Sequence, residues 1–105
     1  MSAATLTAEV AQEYLRDVEP MWRAFWFHLH LVAKNLEEFA AGLGGIDDAT
    51  YQYHVSGQKN DLARWVHEVI GDSVLARHLA GAKSKDEAAD IVAARLAELK
   101  ALTKH

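Results

Sequence analysis

Tyr53-His54-Val55-Ser56-Gly57-Gln58-Lys59-Asn60-Asp61-Leu62-Ala63-Arg64-Trp65-Val66-His67-Glu68-Val69-Ile70-Gly71-Asp72-Ser73-Val74-Leu75-Ala76 is the most informative stretch of this 105-residue chain. It reads as the end of a short helix at His54, a Ser56-Gly57 turn, and a helix started by Asn60 or Asp61 and stopped by Gly71. Asp72 then caps a further helix over 73–79, which Gly81 ends. Leu62, Trp65, Val66 and Val69 share one helix face, and Arg64, His67 and Glu68 share the other. Trp65 can bury up to about 200 Å2, which makes it the expected keystone of this half of the chain. The segment is a grammar of capping and packing. It contains no nucleophile motif, phosphate loop or metal signature.

The same grammar extends outward. Ser84 and Glu87 have capping-box spacing for a last helix reaching about Leu102, with Lys100 and Lys104 complementing its C-terminal dipole. Asp47 or Asp48 starts the short helix that ends at His54. Asn35 followed by Glu38 starts another, expected to reach Ala41 and to end at Gly42 or at Gly44-Gly45. Thr7 caps a first helix over 7–18. Apolar residues at Ala11, Tyr14, Val18, Trp22, Phe25, Leu29, Val32 and Leu36 keep helical spacing, broken at Glu19-Pro20. A second helix from Pro20 is therefore expected. A competing reading makes 25–31 a strand, since Phe25, Phe27, Leu29 and Leu31 alternate with Trp26, His28 and His30. No other segment looks like a strand partner, and a lone strand leaves its backbone unsatisfied, so helix is preferred. The expected fold is all-α: one compact domain over 1–105 of about six short helices in irregular or orthogonal packing, with residues 1–6 disordered.

The segment around Trp65 also resembles a family of small prokaryotic helical domains with no established activity. The pattern is carried here by Leu36, Glu38, Phe39, Leu43, His54, Asn60, Asp61, Trp65, Val66, Val69, Gly71, Asp72, Leu75 and Ala76. Tyr51 supplies an aromatic near the expected place, and Leu62 stands where the pattern prefers Phe. The likeness covers roughly residues 35–80. It implies a helical module, free-standing or fused, and no chemistry.

Composition narrows the function classes. Half the residues are hydrophobic and one is proline, so a folded core is expected. The chain has no cysteine, which excludes disulfides and thiolate metal sites and fits a cytoplasmic protein. No signal-like segment or bilayer-length apolar run is visible. The net charge of −4 argues against nucleic acid as main partner; Lys59, Arg64, Arg77, Lys83 and Lys85 are the basic residues a DNA reading would need.

Six histidines invite a metal reading. On a helix His28 and His30 diverge by about 200° and cannot share an ion; on a strand they share a face. No His-Glu-x-x-His or Glu-x-x-His pair occurs. His28, His30 and His67 read as surface or interface residues, and His105 is terminal. His54 is expected to bond the backbone of the turn before Asn60-Asp61, with one of those two fixing its tautomer. A catalytic His54–Asp61 pair lacks a nucleophile, because Ser56 and Ser73 sit in turn or capping positions. Glu37-Glu38 and Asp47-Asp48 lie where helix starts favour negative charge. Gly42-Leu43-Gly44-Gly45 lacks the Lys-Ser/Thr of a phosphate loop.

Two features point further. Arg95 falls within the apolar stripe Ala88, Ile91, Val92, Leu96, Leu99, Leu102, so it is expected to pair with a carboxylate, Asp72 or Asp61. Trp22, Phe25, Trp26 and Phe27 crowd into six residues, too many for one small core. Trp22, Trp26, Phe27 and His30 are the expected interface; His54, Asn60, Asp61, Trp65, Asp72 and Arg95 are expected to be structural. The preferred function is a non-enzymatic self-assembly or protein-interaction module without cofactor, as a homo-oligomer or with a protein partner. The alternative is a small-ligand, metal or haem protein using His28, His30 and His54.

Overall fold

A computed structural model describes residues 6–103. Six helices dominate: α1 (Ala8–Leu15), α2 (Leu36–Gly45), α3 (Asp48–His54), α4 (Asp61–Trp65), α5 (Ser73–Ala80) and α6 (Lys85–Thr103). A 3-10 turn at Met21–Arg23 precedes the hairpin β1 (Phe25–His28) and β2 (Leu31–Ala33), and a two-residue pair β3 (Val55–Ser56) and β4 (Lys59–Asn60) joins α3 to α4. The fold is thus mostly helical but not purely all-α. The expectations for residues 1–5, Lys104 and His105 lie outside the described residues, while Leu6, expected to be disordered, packs against the core.

The main correction is the hairpin. The expected second helix gives way to an antiparallel pair in the register Phe25↔Ala33, Trp26↔Val32 and His28↔Leu31, with an irregularity between Trp26 and His28. The strand partner is the chain's own continuation, folded back within two residues, so the argument against a lone strand does not apply. Period-two burial follows: Phe25 and Phe27 point into the core, Trp26 and His28 point out. On a helix those four side chains would have spread over several faces. The first helix also stops early, at Leu15, and α2 runs through Gly42 to Gly45.

Most helices begin where the sequence marks them. Thr7, Asn35, Asp47, Asn60 and Asp72 each accept a backbone N–H of the first turn, from Val10, Glu38, Thr50, Ala63 and Leu75. Ser84 does the same for Glu87, whose carboxylate in turn accepts Lys83 N–H at 2.9 Å. Beyond Trp65, α4 widens into a π-type turn over Val66–Ile70, closed by the Gly71 N–H on the Val66 carbonyl at 2.8 Å. Gly71 has φ +95°, a left-handed cap that other residues adopt with strain.

The core is an aromatic cluster overlaid by α6, which packs across α1 and α2. Phe25, Phe27, Phe39 and Trp65 meet with ring centroids 4.8 to 5.8 Å apart, edge-on or stacked. Gly42 is part of this packing rather than a helix stop: a Cβ there would lie 2.5 Å from Phe27 Cε2. Gly42→Ala tests that fit. Ala is the better helix former by about 1 kcal/mol. The Phe27 ring is hemmed in by Phe25 and Phe39, so a net loss of about 1–3 kcal/mol is expected by denaturant unfolding. A more stable variant would show that the hairpin shifts freely on α2.

Candidate functional site

The inward alternation of β1 creates an outward face. Trp26 and His28 project from the strand, Met21 and Trp22 from the 3-10 turn before it, Leu29 and His30 from the hairpin tip, and Tyr53 from α3. Trp22, Leu29 and Tyr53 are 77%, 81% and 70% exposed. Of the expected interface residues, Trp22, Trp26 and His30 are exposed. Phe27 is not: only 3% of it is exposed, because strand alternation turns it into the aromatic core.

Several of these side chains are held in place by polar contacts. The Trp26 indole N–H donates to the Met21 carbonyl at 3.3 Å. The Lys59 ammonium sits 4.6 Å from the centre of the Tyr53 ring and donates to the Tyr53 carbonyl at 2.8 Å. His28 Nδ1 accepts the His30 backbone N–H at 3.2 Å, which shapes the hairpin tip. Between hairpin and α3 runs a groove of about 530 Å3 lined by Trp26, Phe27, His28, Leu29, Asp47, Ala49, Thr50, Tyr53 and His54. Asp47 accepts the Thr50 N–H, and that bond holds its carboxyl below the usual carboxylate range.

His54 forms the floor. It is buried, with Nδ1 2.9 Å from Asp61 Oδ2 and Nε2 2.8 Å from the Phe27 carbonyl oxygen. Its backbone partner is therefore the hairpin, 27 residues away, and not the local turn expected from sequence. Both ring nitrogens face acceptors, so the ring donates to both only when it carries two protons. Asp61 also lies 3.6 Å from the Lys59 ammonium. Asn60, not Asp61, provides the helix cap, and its amide reaches the Leu79 carbonyl at 3.3 Å. With Nε2 engaged by a backbone carbonyl, His54 has no lone pair aimed at a nucleophile, and Ser56 and Ser73 are exposed turn or first-turn residues. No three His, Asp or Glu side chains converge to hold a metal ion among the described residues. No helix there is long and apolar enough to cross a membrane.

Asp72 and Arg95 clamp the start of α5 to α6. Arg95 Nε donates to Asp72 Oδ2 at 2.7 Å and a second guanidinium nitrogen to Oδ1 at 2.9 Å. The third reaches Glu98 at 2.9 Å. Asp72 is fully buried and the Arg95 side chain is 11% exposed. The hydrogen bond to Asp72 is the first cause that pushes the guanidinium pKa up, so its charge is fixed. Sequence reasoning missed Arg16, which donates to the Val69 and Ile70 carbonyls at 2.7 and 3.2 Å and so closes the C-terminal end of the α4 segment. Nothing local signals that contact, because it spans more than fifty residues. Tyr53, Leu29 and Met21 were missed as surface members because the helical reading of 25–31 misplaced the face.

No family model, no curated protein and no solved structure matches the chain.

Two stability outcomes follow from these geometries. Replacing His54 with Ala strips the Phe27 carbonyl and Asp61 of their buried partner and leaves a void. A loss of about 2–4 kcal/mol is expected in urea unfolding, with altered Trp26 emission. An unchanged midpoint would mean that the hairpin is held without this link. Arg95→Met keeps the apolar stem but leaves the Asp72 carboxylate buried alone. It should lose about 3–5 kcal/mol, whereas a loss under about 1 kcal/mol would assign Arg95 to the surface class.

Proposed function

We propose that this chain is a non-enzymatic interaction module that associates with a second copy of itself through the face formed by Met21, Trp22, Trp26, Leu29 and Tyr53. The observation that carries this reading is the large apolar surface gathered on one hairpin and the adjoining α3, with Trp22 and Leu29 mostly in solvent. Monomeric proteins rarely leave contiguous aromatic and aliphatic surface of this kind uncovered, and aromatic residues are enriched in interface centres. The fixed orientation of Trp26 and Tyr53 favours association, because less side-chain freedom is lost on contact. Asp47 and Lys59 place both signs of charge around the same face, as an isologous two-fold contact requires. The engaged Nε2 of His54 supports a binding rather than a catalytic role for the floor of this region.

The test is mass in solution. The wild-type chain is expected to exceed monomer mass by light scattering at high micromolar concentration. Trp22→Glu and Leu29→Glu, both at highly exposed positions, should return it to monomer with unchanged helicity. A wild-type chain that stays monomeric at millimolar concentration, or variants that keep the assembled mass, would overturn the proposal.

A further inference from the structure

The groove between the hairpin and α3, lined in part by the exposed Trp26, Leu29 and Tyr53, has a chemical character of its own. Its volume of about 530 Å3 is that of a site for a whole small molecule. Its wall carries the rings of Trp26 and Tyr53, with the imidazoles of His28 and His54 and the ring of Phe27 completing an aromatic lining. Among the nine lining residues Asp47 is the only one with a carboxylate, and none is Lys or Arg; His54 on the floor faces the Asp61 carboxylate at 2.9 Å, which balances any charge on the ring. Asp47 caps α3 through the Thr50 N–H at 2.8 Å, and its carboxylate is exposed and not paired with a Lys or Arg among the described residues. The Trp26 indole N–H is already donated to the Met21 carbonyl, so it is not a free donor for a ligand. Tyr53 already holds one ammonium, that of Lys59, at 4.6 Å from its ring centre. Lys59 does not line the groove: it is tied to the Tyr53 carbonyl and to Asp61.

We propose that this groove binds a small organic monocation of the quaternary ammonium class, with Trp26 and Tyr53 as cation–π walls and Asp47 as counter-charge. The chemistry follows from the lining. Electron-rich ring faces attract a positive charge that is too weakly hydrated to resist desolvation. A lone carboxylate at the rim selects cations over neutral apolar molecules and repels anions. Methyl groups around the nitrogen fill apolar space that a bare ammonium leaves empty, and they offer no N–H that would demand hydrogen-bond acceptors, of which the groove has few. A groove of about 530 Å3 admits either a free solute or the head group of a methylated side chain, and the free solute is the source taken here. The groove shares Trp26, Leu29 and Tyr53 with the proposed self-association face, so a second copy and the cation compete for it; Trp22 lies outside the groove, and its replacement frees the site without altering the lining.

The experiment is an NMR titration of the full chain at about pH 8, above the ordinary histidine range. The probes are choline and its neutral carbon isostere, 3,3-dimethylbutanol. Both are added to wild type and to the Trp22→Glu variant. Choline should shift the Trp26 indole N–H signal, leave those of Trp22 and Trp65 in place, and saturate with a Kd on the order of 1 mM. The isostere should bind at least about 10-fold more weakly, because it lacks only the charge. Tyr53→Leu, read at the Trp26 indole, and Trp26→Leu, read at the backbone amides of Thr50 and Tyr53, should each weaken choline by about 5-fold or more, and Tyr53→Phe should retain binding. Asp47→Asn keeps the helix cap while removing the charge, and should weaken choline by about 3-fold or more. Equal binding of choline and the isostere, shifts that survive loss of either ring, or no saturable shift at all would each overturn the proposal. Tighter binding of a trimethyl-lysine peptide than of choline would overturn the small-solute source. Binding retained in monomeric Trp22→Glu separates this outcome from the fate of the self-association reading.

Discussion

The fold turns on one imidazole. His54 takes the Phe27 carbonyl on one side and the Asp61 carboxylate on the other, and so joins β1, α3 and α4 at a single buried point. A two-stranded hairpin is marginal alone, and the carbonyls on its outer edge need partners if that edge is to be covered. The second strand cannot supply them, because it lies on the other edge. His54 supplies one, and the Trp65 indole ties down the 3-10 turn ahead of the strand by donating to the Arg23 carbonyl at 2.7 Å. Phe25 packs 5.0 Å from the His54 ring and 5.8 Å from Trp65, so the polar links are sheltered by the aromatics they position. In a low-dielectric setting such bonds are strengthened and their loss is more costly. The same ring thus closes the core on its inner side and floors the groove on its outer side.

Around that point the helices are too short to stand by propensity. α3, α4 and α5 run seven, five and eight residues, well under the length at which isolated helices persist in water. Their ends are therefore fixed by tertiary contacts. Asp72 caps α5 with one oxygen while both oxygens hold Arg95 from α6, so a single carboxylate sets a helix start and a helix-to-helix distance. Arg16, at the end of α1, closes the carbonyls left open by the widened end of the α4 segment. Helix caps in this molecule double as cross-links between elements distant in sequence.

This division explains what could be read in advance. Capping by Asn35, Asp47, Asn60, Asp72 and Ser84 is a contact over three residues, so it is written in local spacing. The Asp72–Arg95 pair is non-local, yet one half of it is conspicuous: a guanidinium inside an apolar stripe must find an anion. The hairpin was legible as alternation at Phe25, Trp26, Phe27 and His28 but lost to the competing helical period. Phe25 and Leu29 satisfy both periods, Trp22, Val32 and Leu36 extend the helical one alone, and the partner strand, three residues long, carries no pattern of its own. Arg16 and the Phe27 carbonyl were illegible because neither contact leaves a trace near its own position. The exposed face was legible as an excess of aromatics, but not its membership, which depends on the strand assignment.

That assignment also separates what folding demands from what it does not. Phe25 and Phe27 are required by the core, and Gly42 is required by Phe27, since a side chain there would meet its ring. The outward positions of the same hairpin carry no such demand. A strand with one solvated face is satisfied by polar residues at alternate positions, and a hairpin tip favours small or polar ones. This chain instead has Trp at 26, Leu at 29 and Trp at 22, and it adds Tyr53 from another element to the same surface. Each of these raises the solvation cost of the monomer without filling its interior. Polar contacts nevertheless hold Trp26 and Tyr53 in fixed positions beside the lone carboxylate of the groove. Order imposed on apolar side chains that the core does not use lowers the entropy lost on contact, and the proposed binding roles of this face rest on that.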